Sequence, residues 1–342
     1  MSSPSRIRKR TGELSLLTWA GLAAFPVLAA LVCLCVGRMW VSPADMIKSL
    51  LTRLGGEYEV AVLTEKALWS VRFPRILLAL LCGAGLSLSG CSFQSVFVNP
   101  LATPDTLGIA SGASLGAAVG ILLGFGLTGI QICALLCGLL AVALTYLAGF
   151  GRGGNTVVLA GIMMGSLFSA LLSLVKYVAD PESQLPAITY WLMGSLSGKS
   201  YETLAVGAPF IVIPAAVLFL LRWKMNLLTL PEDEALALGV NIKALRLITV
   251  ACATAMTASC VSMCGQVGWI GLLVPHMCRM KLGTNHLSLV PASICVGAGF
   301  MVLVDAAARS LSAAEIPISI LTALVGAPFF ILLMRRNGGW QL

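Results

Sequence analysis

The chain has 342 residues, of which 58% are hydrophobic and only 11% charged, with a mean hydropathy of +0.95. So little charge cannot cover a soluble surface, and the composition is that of an all-α polytopic membrane protein built as a single transmembrane domain over 1–342. The net charge of +8 fits basic loops on one membrane face, and no Lys/Arg stripe interleaved with aromatics follows Arg10, so no nucleic-acid partner is expected.

In chain order, residues 1–13 form a basic tail (Arg6, Arg8, Lys9, Arg10) expected in the cytoplasm. The apolar run Leu14 to Val36 is long enough for a first span and is read as retained. Residues 38–73 make the longest hydrophilic connection, expected outside with a short helix from Pro43 to Leu54. Span two is placed at about Pro74 to Val98. Its GAGLSLSGCS stretch lets helices approach closely, and it ends in the stiff turn Asn99-Pro100-Leu101-Ala102-Thr103-Pro104-Asp105. Spans three and four, about Leu107 to Leu127 and Gly129 to Phe150, lead to the Gly-rich loop 149–155 and to span five, Thr156 to Tyr177. An outer segment, Val178 to Thr203, carries Trp191-Leu192-Met193-Gly194, and span six covers Leu204 to Leu221.

The polar stretch that follows, Leu221 to Arg246 with its loop at 222–246, interrupts the apolar pattern. Pro231 suits a first helical position, Glu232, Asp233 and Glu234 suit the positive end of a helix dipole, and Gly239 is a stop. Leu230, Ala235, Leu236 and Leu238 give this helix an apolar side that the bilayer does not require, and Arg222, Lys224, Lys243 and Arg246 mark the loop as cytoplasmic. It reads either as a docking element for a soluble partner or as a plain connector. Beyond it lie span seven (Leu247 to Cys264), a short eighth element (Gly268 to Met280), span nine (Leu287 to Ala308) and span ten (Glu315 to Met334). About ten spans put both termini on one side, and the short basic loops make that side cytoplasmic. Spans 2–5 and 7–10 are four-helix units, each with a small-residue helix followed by a proline break, Asn99-Pro100 or Val274-Pro275-His276. Their odd offset predicts inverted repeats, a transporter habit.

The chemistry-bearing residues exclude most other functions. The eleven cysteines sit in apolar runs as small hydrophobes without metal-ligand spacing, so no metal site is expected. Gly194-Ser195-Leu196-Ser197-Gly198-Lys199-Ser200 is one residue short of a phosphate loop. No Ser/His/Asp set, carboxylate pair or HExxH motif is present, so the chain is not expected to be an enzyme. Asp305 and Arg309 stand at i and i+4 and can pair. No acid is read at mid-span, which speaks against an ion-coupled secondary carrier acting without an ATPase. That carrier stays as the alternative, because backbone carbonyls can bind sodium; a non-transporting anchor or receptor is a third reading. Arg72, Arg75 and Arg309 are read at the outer mouth, either gripping carboxylates of a partner or serving as interfacial anchors.

Several blocks together resemble one family, the permease subunits of ABC importers for iron-siderophores, haem and cobalamin. They are Arg72-Phe73-Pro74-Arg75, Ser89-Gly90 with Gln94, Asn99-Pro100-Leu101-Ala102, Leu107-Gly108 with Ser111-Gly112-Ala113, and Leu159-Ala160-Gly161. Trp191 to Leu196, Leu238-Gly239-Val240, Gly268 to His276, Asp305 with Arg309, and Glu315-Ile316-Pro317 through Gly326-Ala327-Pro328-Phe329 continue the set in order. The resemblance implies a ten-helix subunit in the inner membrane. Its partners would be a second permease, identical or paralogous, two cytoplasmic ATPases that hold ATP and magnesium, and an extracytoplasmic binding protein. This chain itself would bind no cofactor. Its cargo would be a metal chelate, a ferric siderophore ahead of cobalamin or haem. The resemblance makes Glu232, Asp233, Glu234, Leu236, Leu238 and Gly239 the ATPase-coupling helix, and Arg72, Arg75 and Arg309 the binding-protein dock. It places the inner gate at Asn99 and Leu101, with a second constriction at Gly153, Gly154 and Asn155.

Overall fold

The computed structural model describes residues 15–336 except 38, 150–153, 231 and 313, with the backbone alone at a few others, among them 154, 155, 232, 233 and 236. The basic tail 1–13 and Gly153 thus lie outside the described residues. Helix α1 (Leu16–Cys35) is followed by α2 (Pro43–Arg53), which starts where the sequence placed it: Ser42 caps it by accepting from the Asp45 N–H, and Pro43 sits in its first turn. Helix α3 (Val62–Lys66) continues through a π-helical turn, Ala67–Arg72, into α4 (Phe73–Val96). The second span is therefore one 35-residue helix from Val62, beginning well before the expected Pro74. The widened turn lies just ahead of Pro74, whose missing N–H interrupts the regular helical ladder there.

Helices α5 (Ile109–Leu122), α6 (Leu127–Gly149) and α7 (Gly154–Val178) complete the first unit. α5 stops short of the expected Leu127 because the chain turns at Gly124, φ +72°. Helix α8 (Gln184–Leu192) precedes the pair α9 (Tyr201–Gly207) and α10 (Pro209–Leu221), which meet at 45°. Pro209 causes the bend, and the Gly207 carbonyl freed there accepts from Ser259 Oγ at 2.8 Å. After α11 (Glu232–Ala237) come α12 (Ile242–Cys264), α13 (Ile270–Leu282), α14 (His286–Ser310) and α15 (Ile318–Arg336).

Among the described residues six helices are long and apolar enough to cross a membrane, and the bent pair makes a seventh. α15 is a shorter apolar helix. α5 and α13, with 14 and 13 residues, are only about 20 Å long against a hydrocarbon core of about 30 Å. Together these are the ten elements read from the sequence. α4 packs on α12, and each also packs on the second and third helices of the other unit: α4 on α13 and α14, α12 on α5 and α6. Such reciprocal contacts are what two inverted four-helix units produce. The crossings depend on missing side chains. A Cβ on Gly83 would lie 2.2 Å from the Gly297 carbonyl oxygen, and one on Gly90 only 1.7 Å from that of Gly271.

Candidate functional site

Each unit is broken after its first helix, and the two breaks converge inside the bundle. α4 ends at Val96, and the chain doubles back through Asn99, whose Oδ1 accepts from the Leu101 N–H at 2.9 Å while its carbonyl accepts from Ala102. A 3-10 turn, Pro104–Leu107, then leads into α5 through Gly108 at φ +75°. α12 ends at Gly265, φ +75°, and α13 begins after Trp269, φ +69°. Both units therefore restart from a residue in the left-handed region, which a tryptophan occupies only under strain. Pro104 Cδ lies 3.5 Å from where Gly271 would carry a Cβ, and that point is 3.0 Å from the Leu86 carbonyl. The first break has therefore climbed about 15 Å back from the end of α4.

Thr103, Pro104 and Asp105 from one break face Gln266, Val267, Gly268 and Trp269 from the other across a cavity of about 30 Å³ that also touches Thr257. That is room for a water molecule. Asp105 is the acid the sequence reading missed. The double-proline turn looked like a loop outside the bilayer, and only its return along α4 brings the acid, still exposed, to the edge of the cavity between the two breaks.

Two of the residues expected at an inner gate come together. Asn99 and Leu101, the latter 48% exposed, line a depression of about 340 Å³ closed on the other side by Val158, Leu159 and Ile162 of α7. The second constriction is less defined: Gly154 and Asn155 form the first turn of α7, described by backbone alone. The segment after Trp191 docks on the second unit, with the Ser195 N–H on the Cys264 carbonyl (2.8 Å) and the Gly194 carbonyl accepting from Ile318 (3.1 Å).

The outer arginines do not face outward, which corrects the sequence expectation. Arg72, Arg75 and Arg309 are each 6% exposed. The carbonyls at the end of α1 explain two of them. Val32 accepts from Val36 and Cys35 from Val41. Cys33 accepts from Arg309 Nη2, Leu34 and Cys35 from Arg72 Nη1, and Met39 from Arg72 Nη2. Two guanidinium groups thus cap the negative end of α1. Gly37 passes between them, where a Cβ would lie 2.9 Å from Arg72 Nη2 and 3.2 Å from Arg309 Nη1. Arg75 holds α14 and the strand of chain after it: Nε reaches both oxygens of Asp305 (2.9 and 3.1 Å), and the two Nη groups reach Glu315 at 3.2 and 3.1 Å. Asp305 also faces Arg309 Nε at 3.7 Å, the i,i+4 pair foreseen from the sequence.

Between α10 and α12, α11 is a short helix closed as its glycine implied. Gly239 has φ +76°, and the Val240 N–H bonds back to the Ala235 carbonyl at 3.0 Å, the pattern of a Schellman cap. Ala235 and Val240 are buried, whereas Leu238 is 63% exposed and Glu234 is also exposed. The side chains of Glu232, Asp233 and Leu236 lie outside the described residues. Gly239→Ala is expected to destabilise this segment by about 1 kcal/mol, because alanine resists positive φ; faster amide hydrogen exchange over 232–240 is the check.

Residues 25–336 match the FecCD transport family. The molybdate import permease MolB of Haemophilus influenzae is 41% identical over 324 residues, covering 93% of this chain and 96% of that protein. A Helicobacter pylori protein described as "Probable iron chelatin transport system permease protein" is 40% identical over 79% of this chain and 82% of its own. The solved structure described as "An inward-facing conformation of a putative metal-chelate type ABC transporter" superposes with a TM-score of 0.86 at 39% identity, covering 94% of this chain and all of that one. The chain belongs to the FecCD transport family and is the membrane-spanning permease subunit of an ABC importer.

Proposed function

We propose that the chain pairs with a second permease to enclose the path of an importer for a ferric chelate, driven by two cytoplasmic ATPases and loaded by an extracytoplasmic binding protein. ATP and magnesium act on the partners, and this chain supplies the path, in an inner membrane with both its termini cytoplasmic. The observation that carries the reading is the 232–240 segment, where a leucine is held out to water on a rigid, capped turn. Nothing in a lone membrane bundle calls for that leucine, and a cleft on a soluble ATPase does. α7 supports the pairing: only 17% of its apolar stretch is buried within the chain, and Ser166, Ser169 and Ser173 lie on its exposed side. Gating falls to Asn99 and Leu101 against the start of α7, with Gly153 to Asn155 beside them. The arginines would dock a binding protein only in an opened outer end, where Arg75 exchanges Glu315 for a partner carboxylate.

Leu238→Asp is expected to cut co-purification of the ATPase at least tenfold without lowering the thermal midpoint of the permease. Undiminished co-purification would remove the coupling role. The Haemophilus relative favours a second cargo, molybdate. Uptake of iron-55 as a ferric siderophore, set against molybdenum-99 as molybdate, in cells with and without the gene separates the two: loss of iron uptake alone supports the chelate, loss of molybdate uptake alone overturns it.

A further inference from the structure

We propose that Asn226, His286 and Ser95 form a hydrogen-bonded relay carrying displacement of the 222–246 segment to the inner end of α4, which makes them positioning residues for gating. This rests on the reading that the 232–240 segment meets an ATPase. The 3-10 turn Lys224–Thr229 leads into that segment and packs on α4 and α12, with Met225 and Leu228 fully buried. Within it, Asn226 Nδ2 donates to Asn285 Oδ1 at 3.1 Å, and its Oδ1 accepts at 2.9 Å from both the backbone N–H and the ring Nδ1 of His286. Because Oδ1 can only accept, Nδ1 carries a proton, and Nε2 touches Ser95 Oγ, whose hydroxyl also reaches the Cys91 carbonyl one turn back at 2.7 Å.

Ser95 is the last link before the gate turn. Its carbonyl accepts from the Val98 N–H at 3.4 Å, and the Gln94 carbonyl accepts from the Asn99 N–H at 3.2 Å. A second tie comes from α13: Arg279 donates to Gln94 Oε1 at 2.8 Å, and Gln94 Nε2 reaches the Gly271 carbonyl at 3.4 Å. Ser95 is 4% and His286 6% exposed. Water cannot replace the contact between His286 and Ser95 at that burial, so those two groups stay together when one is displaced, and half-buried Asn226 is tied to them by its two bonds to His286. The route from the coupling segment to Asn99 thus runs through three side chains and one helical turn. A merely structural network would predict the same bonds but no effect specific to gate motion.

The test uses the whole complex in lipid, with a fluorescent unnatural amino acid at Leu101 and ATP plus orthovanadate as the probe. Asn226→Ala and Ser95→Ala are each expected to cut the nucleotide-induced fluorescence change at least fivefold while ATP hydrolysis stays within twofold of the parent. Links in series fail together, so the double variant should lose no more than either single one. His286→Gln, which keeps a donor and an acceptor, should retain at least half of the response, and His286→Leu should lose it. An unchanged response in the single variants, a double-variant loss equal to the product of the two, or a parent without any response overturns the relay. Leu238→Asp reports separately on the ATPase seat: co-purification that survives it defeats that reading whatever the relay variants do.

Discussion

Arg75→Ala is expected to destabilise the permease by about 3–5 kcal/mol, the cost of leaving buried charges unpaired. The guanidinium makes hydrogen bonds to Asp305, whose side chain is 1% exposed, and to Glu315, at 22%. Removing it leaves buried Asp305 with Arg309 Nε at 3.7 Å and takes from Glu315 the two hydrogen bonds that Arg75 supplies. Glu315→Gln should cost much less, because its carboxylate is partly solvated and Asp305 still neutralises Arg75. Thermal midpoints in detergent order the three proteins: parent, then Glu315→Gln, then Arg75→Ala far below. Equal midpoints for parent and Arg75→Ala would show that the ion-pair cluster does not hold the outer end together. The same geometry bears on docking experiments. Charge reversal at Arg72 would uncap the end of α1, and at Arg75 would break the tie to Asp305 and Glu315, so the loss of a binding protein's effect identifies a dock only in a variant whose midpoint is intact.

Gly90→Val is expected to prevent accumulation of the folded protein. The first added carbon would sit 1.7 Å from the Gly271 carbonyl oxygen and 2.4 Å from its carbon, so backbone must part from backbone where α4 crosses α13. Overpacking a core costs about 1–3 kcal/mol when side chains can give way, and here nothing flexible can. Gly126→Ala is the control, since its Cβ would meet nothing within 4 Å. Membrane expression followed by size-exclusion chromatography distinguishes them, with a normal monodisperse peak for Gly126→Ala and its loss for Gly90→Val. A normal peak for both would mean that the α4–α13 crossing can part to admit a side chain.

Much of this architecture was legible in the residues. Hydropathy marks the long spans, Ser42 with Pro43 marks the start of α2, and Gly239 marks the end of α11, because each signal is local. Inversion of the two units followed from their odd offset and from the proline breaks. What stayed hidden depends on contacts distant in sequence. Arg72 and Arg309 look like surface charges until the bare carbonyls of α1 are placed beside them, residues 38 and 276 positions away. Asp105 reads as a loop acid because sequence does not record that its turn climbs back along α4. His286 reads as an ordinary helix-end histidine, since its partners Asn226 and Ser95 come from two other elements. A long apolar helix could be foreseen from Pro74, but not its extension to Val62, because Glu65 and Lys66 break the hydropathy signal there.

Coupling to ATP is the central claim, and uptake into proteoliposomes tests it most directly. Vesicles carrying the permease with its ATPase, and with binding protein on the substrate side, should take up an iron-55 siderophore or molybdenum-99 molybdate only when ATP is present on the ATPase side. Replacing the ATPase with a hydrolysis-deficient variant should abolish uptake, and dissipating proton and sodium gradients should leave it unchanged. Uptake that continues without a working ATPase and collapses with an ion gradient would contradict the importer and establish an ion-coupled carrier in its place.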